Sequence, residues 1–452
     1  MKMLKTTVTA LSVALLWGAI LPGGFAVGGE LGSTLTEFGA EKAGNADGSI
    51  PAYEGGGITN IPADFQPGSG RYPDPFKDEK PLYSISAKNV EQYKQLLAPG
   101  TVALFQRFPD YRVDVYPSHR TMKYPDWVLK NTLDNAGKAK LIGQEEGDGF
   151  GGVFASIPFP QPKNGLEVMW NQAMRYQGPR TDMRFNSFLI DRTGHATLVG
   201  DQECSFMWSY YDAKASNLGV WNYMTGLTKY FGPPAQVGQL FLQKYTINNS
   251  VKDDTTWVYT PGQRRVRVAP ELKYDTPAAA IGGVLTFDEL GGFNGRKDRF
   301  DFKLIGKKEM LIPYNNYRAI FGEGLLGAQH ENPDLMRWEK HRVWVVEATL
   351  KPGKRHIYSK RVFYVDEDTW LISLYEAYDQ SNQLYRVINT ANIFQYDKPR
   401  VGQPNQMVYD LTKGTWAATA YLADPRTHMI PYDELPNQSR FTPETMAASG
   451  IR

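Results

Sequence analysis

The sequence predicts an α+β protein that is mostly β, with one large curved antiparallel sheet that covers several helices and a long irregular N-terminal arm. Three observations lead to this prediction. Runs rich in Val, Ile, Tyr, Phe and Trp alternate with turn-forming residues over much of the chain after residue 180. Apolar residues at helical spacing are confined to a few short stretches. Gly and Pro are concentrated in residues 27–85, where little regular structure can form.

The clearest β signal is residues 342–395, which divide into four β-prone runs. Turn-forming residues separate the runs at Pro352-Gly353, at Asp366-Glu367-Asp368 and at residues 379–382. Four such runs joined by short turns predict an antiparallel meander. Alternate residues from Trp344 to Leu350 form an apolar face, so the sheet is expected to be covered on at least one side.

Further strands are predicted in the middle of the chain. Residues 183–200, 236–268 and 299–311 have the same composition, and the second of these segments contains two turns. Together with the meander they predict roughly ten strands, and a sheet of that size is expected to curl and create a concave face.

Helical spacing occurs in four places. Residues 166–176 place five apolar side chains on one stripe, and residues 89–105 predict two short helices interrupted at Pro99-Gly100. Residues 218–230 and 316–326 are weaker candidates because they contain glycines. The last forty residues contain four prolines and are expected to be irregular.

Residues 1–26 are predicted to be a secretory signal peptide. Two lysines precede an apolar run from Ala10 to Leu21, and small residues follow up to Ala26, a pattern typical of a cleaved leader. A membrane anchor is the alternative, but the apolar run is shorter than the ~20 residues that span a bilayer. No cysteine lies near residue 26, so we expect a soluble mature protein without a lipid anchor.

Residues 27–85 are predicted to form an extended arm packed on the body. A disordered leader is the alternative, but the arm contains too many large apolar residues for a solvated tail. These residues are Phe38, Ile50, Tyr53, Ile61, Phe65, Tyr72 and Phe76. No repeat or charged linker follows, so residues 86–452 are predicted to form a single large domain with inserted helices.

Charge and cysteine content exclude several classes of function. The chain has 50 Lys and Arg against 48 Asp and Glu, and cleavage of the leader would remove two of the lysines. The mature charge is then close to zero, so no nucleic-acid partner is expected. Cys204 is the single cysteine; it cannot form an internal disulfide, and its apolar neighbours predict a buried, unreactive thiol.

No catalytic or metal-binding signature stands out. The motifs of α/β-hydrolases, P-loop proteins and zinc proteases are absent, and the six histidines have unrelated spacings. Two acidic loops at residues 45–48 and 145–149 lack the ligand pattern of a calcium loop. We therefore predict a protein that is not an enzyme and has no cofactor, no catalytic residues and no metal site. Asp366-Glu367-Asp368 is interpreted as a hairpin turn.

The remaining signal is an excess of aromatic residues, which make up 13% of the chain. Many of them lie in or beside predicted strands. On a curved sheet, aromatic side chains either fill a core or line an apolar cavity. The residues alone favour a core and leave the cavity open as the alternative.

Two stretches of the sequence resemble a known family. Residues 35–53 (LTEFGAEKAGNADGSIPAY) and 259–267 (YTPGQRRVR) are similar to the start and the centre of a proteobacterial periplasmic family labelled outer-membrane lipoprotein-sorting proteins. The strand-turn-strand at residues 256–266 also resembles, at fold level, the lipoprotein carriers and receptors of the Lol system. The chain departs from those carriers in its larger size and its glycine-rich arm.

The resemblance implies an unclosed, Lol-carrier-like β-barrel around helices, with a cavity for acyl chains. It implies a soluble periplasmic carrier or chaperone for a lipid or other hydrophobic molecule. Its expected partners are a transporter of the resistance-nodulation-division class and an outer-membrane protein. A non-enzymatic adaptor docked on a membrane transporter, or an envelope enzyme acting on a lipid, are the alternatives. With the resemblance, the predicted cavity residues are Trp257, Tyr259, Trp344, Val346, Tyr364, Trp370, Met169 and Met174.

Overall fold

The computed structural model describes residues 30–145, 147–213, 222–402 and 405–450. The predicted signal peptide, residues 1–26, lies outside the described residues. The strands are, in chain order, β1 (Tyr83–Ser86), β2 (Arg112–Val115), β3 (Lys140–Ile142), β4 (Gly149–Gly151), β5 (Arg180–Ile190), β6 (Ala196–Met207), β7 (Asn222–Gly232), β8 (Leu240–Thr246), β9 (Thr255–Thr260), β10 (Arg265–Val268), β11 (Phe300–Pro313), β12 (Trp338–Leu350), β13 (Lys360–Asp366), β14 (Ile372–Tyr378), β15 (Leu384–Ala391), β16 (Phe394–Gln395), β17 (Arg400–Val401), β18 (Asn405–Asp410), β19 (Thr415–Tyr421) and β20 (His428–Tyr432).

The helices are short. They are α1 (Val90–Tyr93), α2 (Pro99–Arg107), α3 (Asp126–Asn135), α4 (Gly165–Ala173), α5 (Tyr317–Phe321) and α6 (Pro443–Gly450). None of the helices in the described ranges has the length and the apolar composition needed to cross a membrane.

One sheet of 16 strands dominates the fold. Its main path runs β1-β2-β12-β13-β14-β15-β18-β19-β5-β6-β7-β8-β9-β10, with β11 paired to β12 and β20 paired to β5. Every pairing in it is antiparallel except the single parallel contact of β2 with β12. The two ends of the path, β1 and β10, do not pair with each other among the described strands. The predicted fold class is therefore confirmed as mostly β, with a large sheet that does not close on itself.

The strongest local signals predicted their elements correctly. The meander forms β12 to β15 in chain order, and the predicted helix at residues 166–176 is α4.

The weak helix prediction at residues 218–230 is wrong, because the described part of that stretch lies in β7, hydrogen-bonded between β6 and β8. The last forty residues are more regular than predicted, because β19 and β20 pair with β5. Tertiary pairing overrides weak local preference in both places.

Helix α4 fills the concave face of one half of the sheet, where it lies on β11 and β12. Its N-cap, Asn164, accepts a hydrogen bond from the N–H of Glu167. Gly165 permits the close approach, since a Cβ there would lie 2.6 Å from the carbonyl oxygen of Phe302 and 3.0 Å from Val346. The sheet and the helix are therefore packed in direct contact on this side.

Residues 30–82 have neither helix nor strand in the structure, and they pack on the body. Three side chains of the body bind carbonyl groups of this segment. Trp370 donates to Phe38 (3.3 Å), Arg120 to Glu41 (2.7 Å) and Arg342 to Ala43 (3.1 Å). Phe38 itself is fully buried. The segment thus contributes to the core of the folded chain.

The last residue of β13 and the first two residues of the turn that follows are buried, although all three are acidic. Asp366, Glu367 and Asp368 are each 2% exposed or less. Asp368 pairs with Arg120 at 2.6 Å, and Glu367 pairs with Lys307 at 2.7 Å. Burial, together with the charge of Asp368, raises the pKa of Asp366 to about 7. The folded state therefore keeps a proton on Asp366 that the unfolded chain releases at lower pH.

This difference predicts a pH-dependent gain in stability for Asp366→Asn. The folded state binds more protons than the unfolded chain between the usual Asp pKa and about 7, so stability falls as pH rises through that window. Asn carries no charge and keeps an oxygen for the hydrogen bonds from Thr369. We expect it to raise the free energy of unfolding by about 4 kcal/mol at pH 8 and by less than half of that at pH 5.

Urea unfolding at both pH values measures this gain. Asp301→Asn, on the exposed edge of β11, is the control and should be nearly neutral at both. A loss of stability in Asp366→Asn at pH 8 would contradict the raised pKa of Asp366 in the folded state.

Candidate functional site

A cavity lies on one face of strands β5 to β8. Its wall comes from alternate residues of these neighbouring strands, as the period-2 alternation of strand side chains requires. They are Met183, Phe185 and Ser187 of β5, Gln202, Cys204 and Phe206 of β6, Met224, Thr228 and Tyr230 of β7, and Phe241, Gln243 and Tyr245 of β8. This half of the sheet therefore supplies one continuous wall.

The segment of residues 278–294 covers the wall. Its regular structure, among the described residues, is limited to single-turn 3-10 helices. It contributes Ala278, Ile281, Leu285, Phe287, Leu290 and Phe293 to the cavity. Inside the cavity, about 170 Å³ is accessible to the centre of a water molecule. The total empty volume between the lining atoms, which includes the mouth of the cavity, is about 1240 Å³. A void of this size is far larger than the gaps of a packed core.

Two buried ion pairs hold the covering segment on the sheet. Asp288 pairs with Arg361 of β13 at 2.7 Å, and Glu289 pairs with Arg386 of β15 at 2.5 Å. All four residues are at most 3% exposed. Burial alone would raise the pKa of Asp288, but the charge of Arg361 and a hydrogen bond with His356 hold that pKa well below its usual range. The segment is therefore fixed beside the cavity by charges that cannot be released without a large cost.

The lining of the cavity is mostly apolar and aromatic, but it also includes eight uncharged Ser, Thr, Asn and Gln side chains among the described residues. Of the described residues that line it, none is Asp, Glu, His or Lys, and Arg175 alone is charged. Arg175 lies just after α4 and is 6% exposed. Burial lowers its pKa to about 10, so it stays protonated at neutral pH. Ser187 and Gln202 each have a buried oxygen without a hydrogen-bond partner.

Cys204 lies on the wall and is buried, as predicted. Its sulfur is 3.2 Å from the hydroxyl of Thr228. Burial raises the pKa of the thiol to about 12, so the thiolate needed for nucleophilic chemistry is not formed at neutral pH. The described lining thus contains no Asp, Glu, His or Lys, and its single thiol stays protonated at neutral pH.

The structure places none of the eight predicted cavity residues on this wall. Met169, Met174, Trp344, Val346, Tyr364 and Trp370 belong to the main hydrophobic core. Trp344 and Trp370 stack with ring centres 6.3 Å apart, and Val346 lies beneath α4. Tyr364 pairs with Val345 in the sheet, which places it on the face opposite Trp344. Their contact with a ligand stays a prediction.

Trp257 and Tyr259 lie in a separate cluster on the opposite side of the sheet. They pair with Leu242 and Leu240, and paired residues share a face. Phe241, between these leucines, lines the cavity, so the two aromatic residues must lie on the other face. Met446 of α6 belongs to the same cluster. The aromatic hairpin is therefore covered by the C-terminal helix.

Sequence reasoning missed the wall of β5 to β8 because it followed aromatic residues in the segments that carry the family resemblance. Those segments are the meander and the hairpin of β9 and β10, whose side chains fill the main core and the cluster beneath α6. The signal that could have found the wall is the alternation in β5, where Met183 and Phe185 alternate with the charged Asp182 and Arg184. That pattern marks a strand with one apolar face, although it does not show whether the face is filled.

A buried acidic group near the arm has the composition of a metal site. One nitrogen of His341 and one oxygen each of Asp366 and Asp368 lie within 4.8 Å of one another. Arg120 already donates two hydrogen bonds to Asp368, and His341 lies 3.1 Å from the carboxylate of Glu339. The arrangement is a network of buried ion pairs beneath the arm.

The chain is similar to known proteins over most of its length. The model of a family described as protein of unknown function (DUF1329) matches residues 84–447. An uncharacterized protein of Pseudomonas aeruginosa, PA3922, is 39% identical over 432 residues, which cover 94% of this chain and 93% of that protein.

Solved structures share part of the architecture at low sequence identity. A domain assigned by name to outer membrane lipoprotein sorting, from Vibrio parahaemolyticus, is 15% identical, covers 63% of this chain and 98% of its own, and has a TM-score of 0.42. A LolA superfamily protein of Nitrosomonas europaea, NE2245, is 11% identical, covers 62% of this chain and 98% of its own, and has a TM-score of 0.35.

The ion pairs of the covering segment predict a strong effect for Arg361→Met. The substitution leaves the Asp288 carboxylate buried without its arginine, which should cost about 3–5 kcal/mol of unfolding free energy. Adding Asp288→Asn removes the unpaired charge, so the double variant should recover at least ~1 kcal/mol of that loss. Urea unfolding of the two variants tests this. Equal stability of the single and the double variant would show that the pair does not hold the segment.

Proposed function

The chain belongs to the DUF1329 family of proteins of unknown function, and we propose from its cavity that it is a carrier or chaperone for a hydrophobic molecule. The observation that supports this proposal is the apolar void between β5 to β8 and the covering segment. A void of this kind, walled by aromatic and aliphatic side chains, is the usual form of a binding site for an apolar ligand.

The physical basis of the proposal is the free energy of removing an apolar chain from water. Each buried methylene contributes about 0.8 kcal/mol, and the wall offers large apolar partners such as Phe185, Phe206 and Phe241. Met183 and Met224 also line the void, and flexible thioether side chains adapt to ligands of different shape. A long apolar ligand would therefore bind without demanding one fixed geometry.

The proposed activity is transport or protection of the ligand without chemical change. Asp, Glu, His and Lys are absent from the described lining, and burial raises the pKa values of the lining residues Tyr223, Tyr230 and Tyr245. These tyrosines are therefore poor proton donors and acceptors at neutral pH. An envelope enzyme acting on a lipid would need an effective proton donor or acceptor beside the ligand.

The place of action in this proposal is the periplasm. The leader-like pattern of residues 1–26 supports export. A lipid would then be the expected cargo, exchanged with a transporter of the resistance-nodulation-division class and an outer-membrane partner, as the sequence resemblance implies. A pull-down with that transporter from envelope extracts tests the partnership separately from cargo binding.

Filling the cavity should abolish binding and leave the fold intact. Gly226 lies on β7 between Met224 and Thr228, and a Cβ there would meet Phe206 at 3.4 Å, an ordinary contact. Gly226→Leu places a side chain in the void and should weaken binding of the fluorescent probe N-phenyl-1-naphthylamine by at least ~10-fold. Lys229→Leu, exposed on the other face of β7, is the matched control and should bind the probe normally.

Circular dichroism of both variants checks that the fold is retained. Native mass spectrometry of the protein purified without detergent, followed by organic extraction, identifies what the cavity holds. Absence of both probe binding and a bound apolar molecule in the native protein would refute the carrier proposal and favour the adaptor alternative.

A further inference from the structure

Arg175 differs from the other buried arginines of the described chain. Seven arginines are buried: Arg120, Arg175, Arg337, Arg342, Arg361, Arg386 and Arg400. Six of them have a carboxylate oxygen within 4.0 Å. Arg175 has none among the described residues, and it is the one that lines the cavity. Among the described residues, every buried guanidinium group except that of Arg175 therefore has a carboxylate partner.

The contacts of Arg175 are to neutral groups of its own segment. It donates one hydrogen bond to the carbonyl oxygen of Gln172 (2.8 Å) and one to the side-chain oxygen of Gln177 (3.2 Å). Its Nε is buried without an acceptor. These contacts fix the position of the guanidinium but leave its charge uncompensated. A buried unpaired ion costs several kcal/mol, a cost that a ligand can remove.

Other polar groups accompany Arg175 on the wall. Tyr223 and Asn294 also line the cavity, and the hydroxyl of Tyr223 donates to the side-chain oxygen of Asn294 (3.4 Å). Tyr223, near the start of β7, interacts electrostatically with Arg175, and the start of β7 lies across β6 from the start of β5. Ser187 pairs with Gly200, towards the other end of β6. The cavity therefore has a cationic end, and a mostly apolar face leads away from it.

We propose that the cavity binds an amphiphile with a single carboxylate headgroup, which pairs with Arg175 while the apolar chain lies along the face of β5 to β8. This inference rests on the proposed carrier function and names its ligand class. A planar carboxylate matches the fork of a guanidinium and accepts two hydrogen bonds from it. A phosphate monoester carries close to two charges at neutral pH, and the described lining offers no second cation to balance them.

The test compares ligands that share one chain and differ in their headgroup. Dodecanoate, dodecanol and dodecyl phosphate compete with N-phenyl-1-naphthylamine below their micellar concentrations, and native mass spectrometry detects each bound ligand directly. For the native protein we expect dodecanoate to bind at least ~10-fold more tightly than dodecanol, since hydrogen bonds to charged groups are the strong ones. Dodecyl phosphate should bind more weakly than dodecanoate.

Arg175→Met removes the charge at similar length. The variant should lose the preference for dodecanoate and bind dodecanol at least as well as the native protein does. Arg184→Met, on the opposite face of β5 where Arg184 pairs with Asp201, is the matched control and should keep the native preference. A full preference for dodecanoate in Arg175→Met would overturn the assignment.

Thermal unfolding separates a binding role of Arg175 from a structural one. Without ligand, Arg175→Met should raise Tm by roughly 2 °C, because it removes an uncompensated buried charge. Dodecanoate should raise Tm of the native protein and leave that of the variant nearly unchanged. A fall in Tm of the ligand-free variant would assign Arg175 to the framework and contradict the proposal.

The outcomes distinguish the two proposals. If dodecanol and dodecanoate bind the native protein equally well, the carrier function stands and the headgroup inference fails. If dodecyl phosphate binds most tightly, the carboxylate assignment is wrong. If no dodecyl ligand binds and the probe is not displaced, the carrier function itself fails.

Discussion

The cavity depends on two ion pairs buried beneath the covering segment. Asp288 and Glu289 are adjacent in that segment, and they bind arginines of β13 and β15. Both carboxylates lie in the interior, so neither can leave its arginine without placing two unpaired charges in a low-dielectric environment. The ion pairs fix one part of the segment, and its apolar side chains can then span β5 to β8 without filling the space below them. The void therefore exists because the two ion pairs hold the covering segment at this position.

The two halves of the sheet use the same concave face in different ways. On β11 and β12, helix α4 packs so closely that Gly165 is required at the contact, and no large space is left. On β5 to β8, an irregular segment takes the place of a helix and leaves a void. Directly after α4, the chain leaves the filled half of the sheet and enters the open half, and Arg175 lies at this point. The guanidinium group of Arg175 therefore lines the cavity from a position next to the end of a tightly packed helix.

Buried charges beneath the arm have ion-pair partners, whereas the buried charge at the cavity has none among the described residues. Beneath the arm, the acidic turn from Asp366 to Asp368 meets Arg120, Lys307 and Arg342, so the network neutralises most of its own charge. At the cavity, one arginine is left without a carboxylate. Buried networks that are satisfied stabilise a single structure, whereas an unsatisfied group is a cost that a bound ligand can offset.

The sequence by itself determined the strands of the meander, helix α4, the apolar nature of the arm and the burial of Cys204. Each of these follows from local alternation, spacing or turn chemistry, which act within a few residues. Strand β7 was missed because pairing with β6 and β8 overrides its weak helical spacing. The C-terminal strands were missed because β5, which is distant in sequence, holds them in place. Only the tertiary structure decided which apolar face stays open, because that depends on whether a helix or an irregular segment lies across it. It also decided that Arg175 has no carboxylate partner, since pairing depends on residues far apart in the chain.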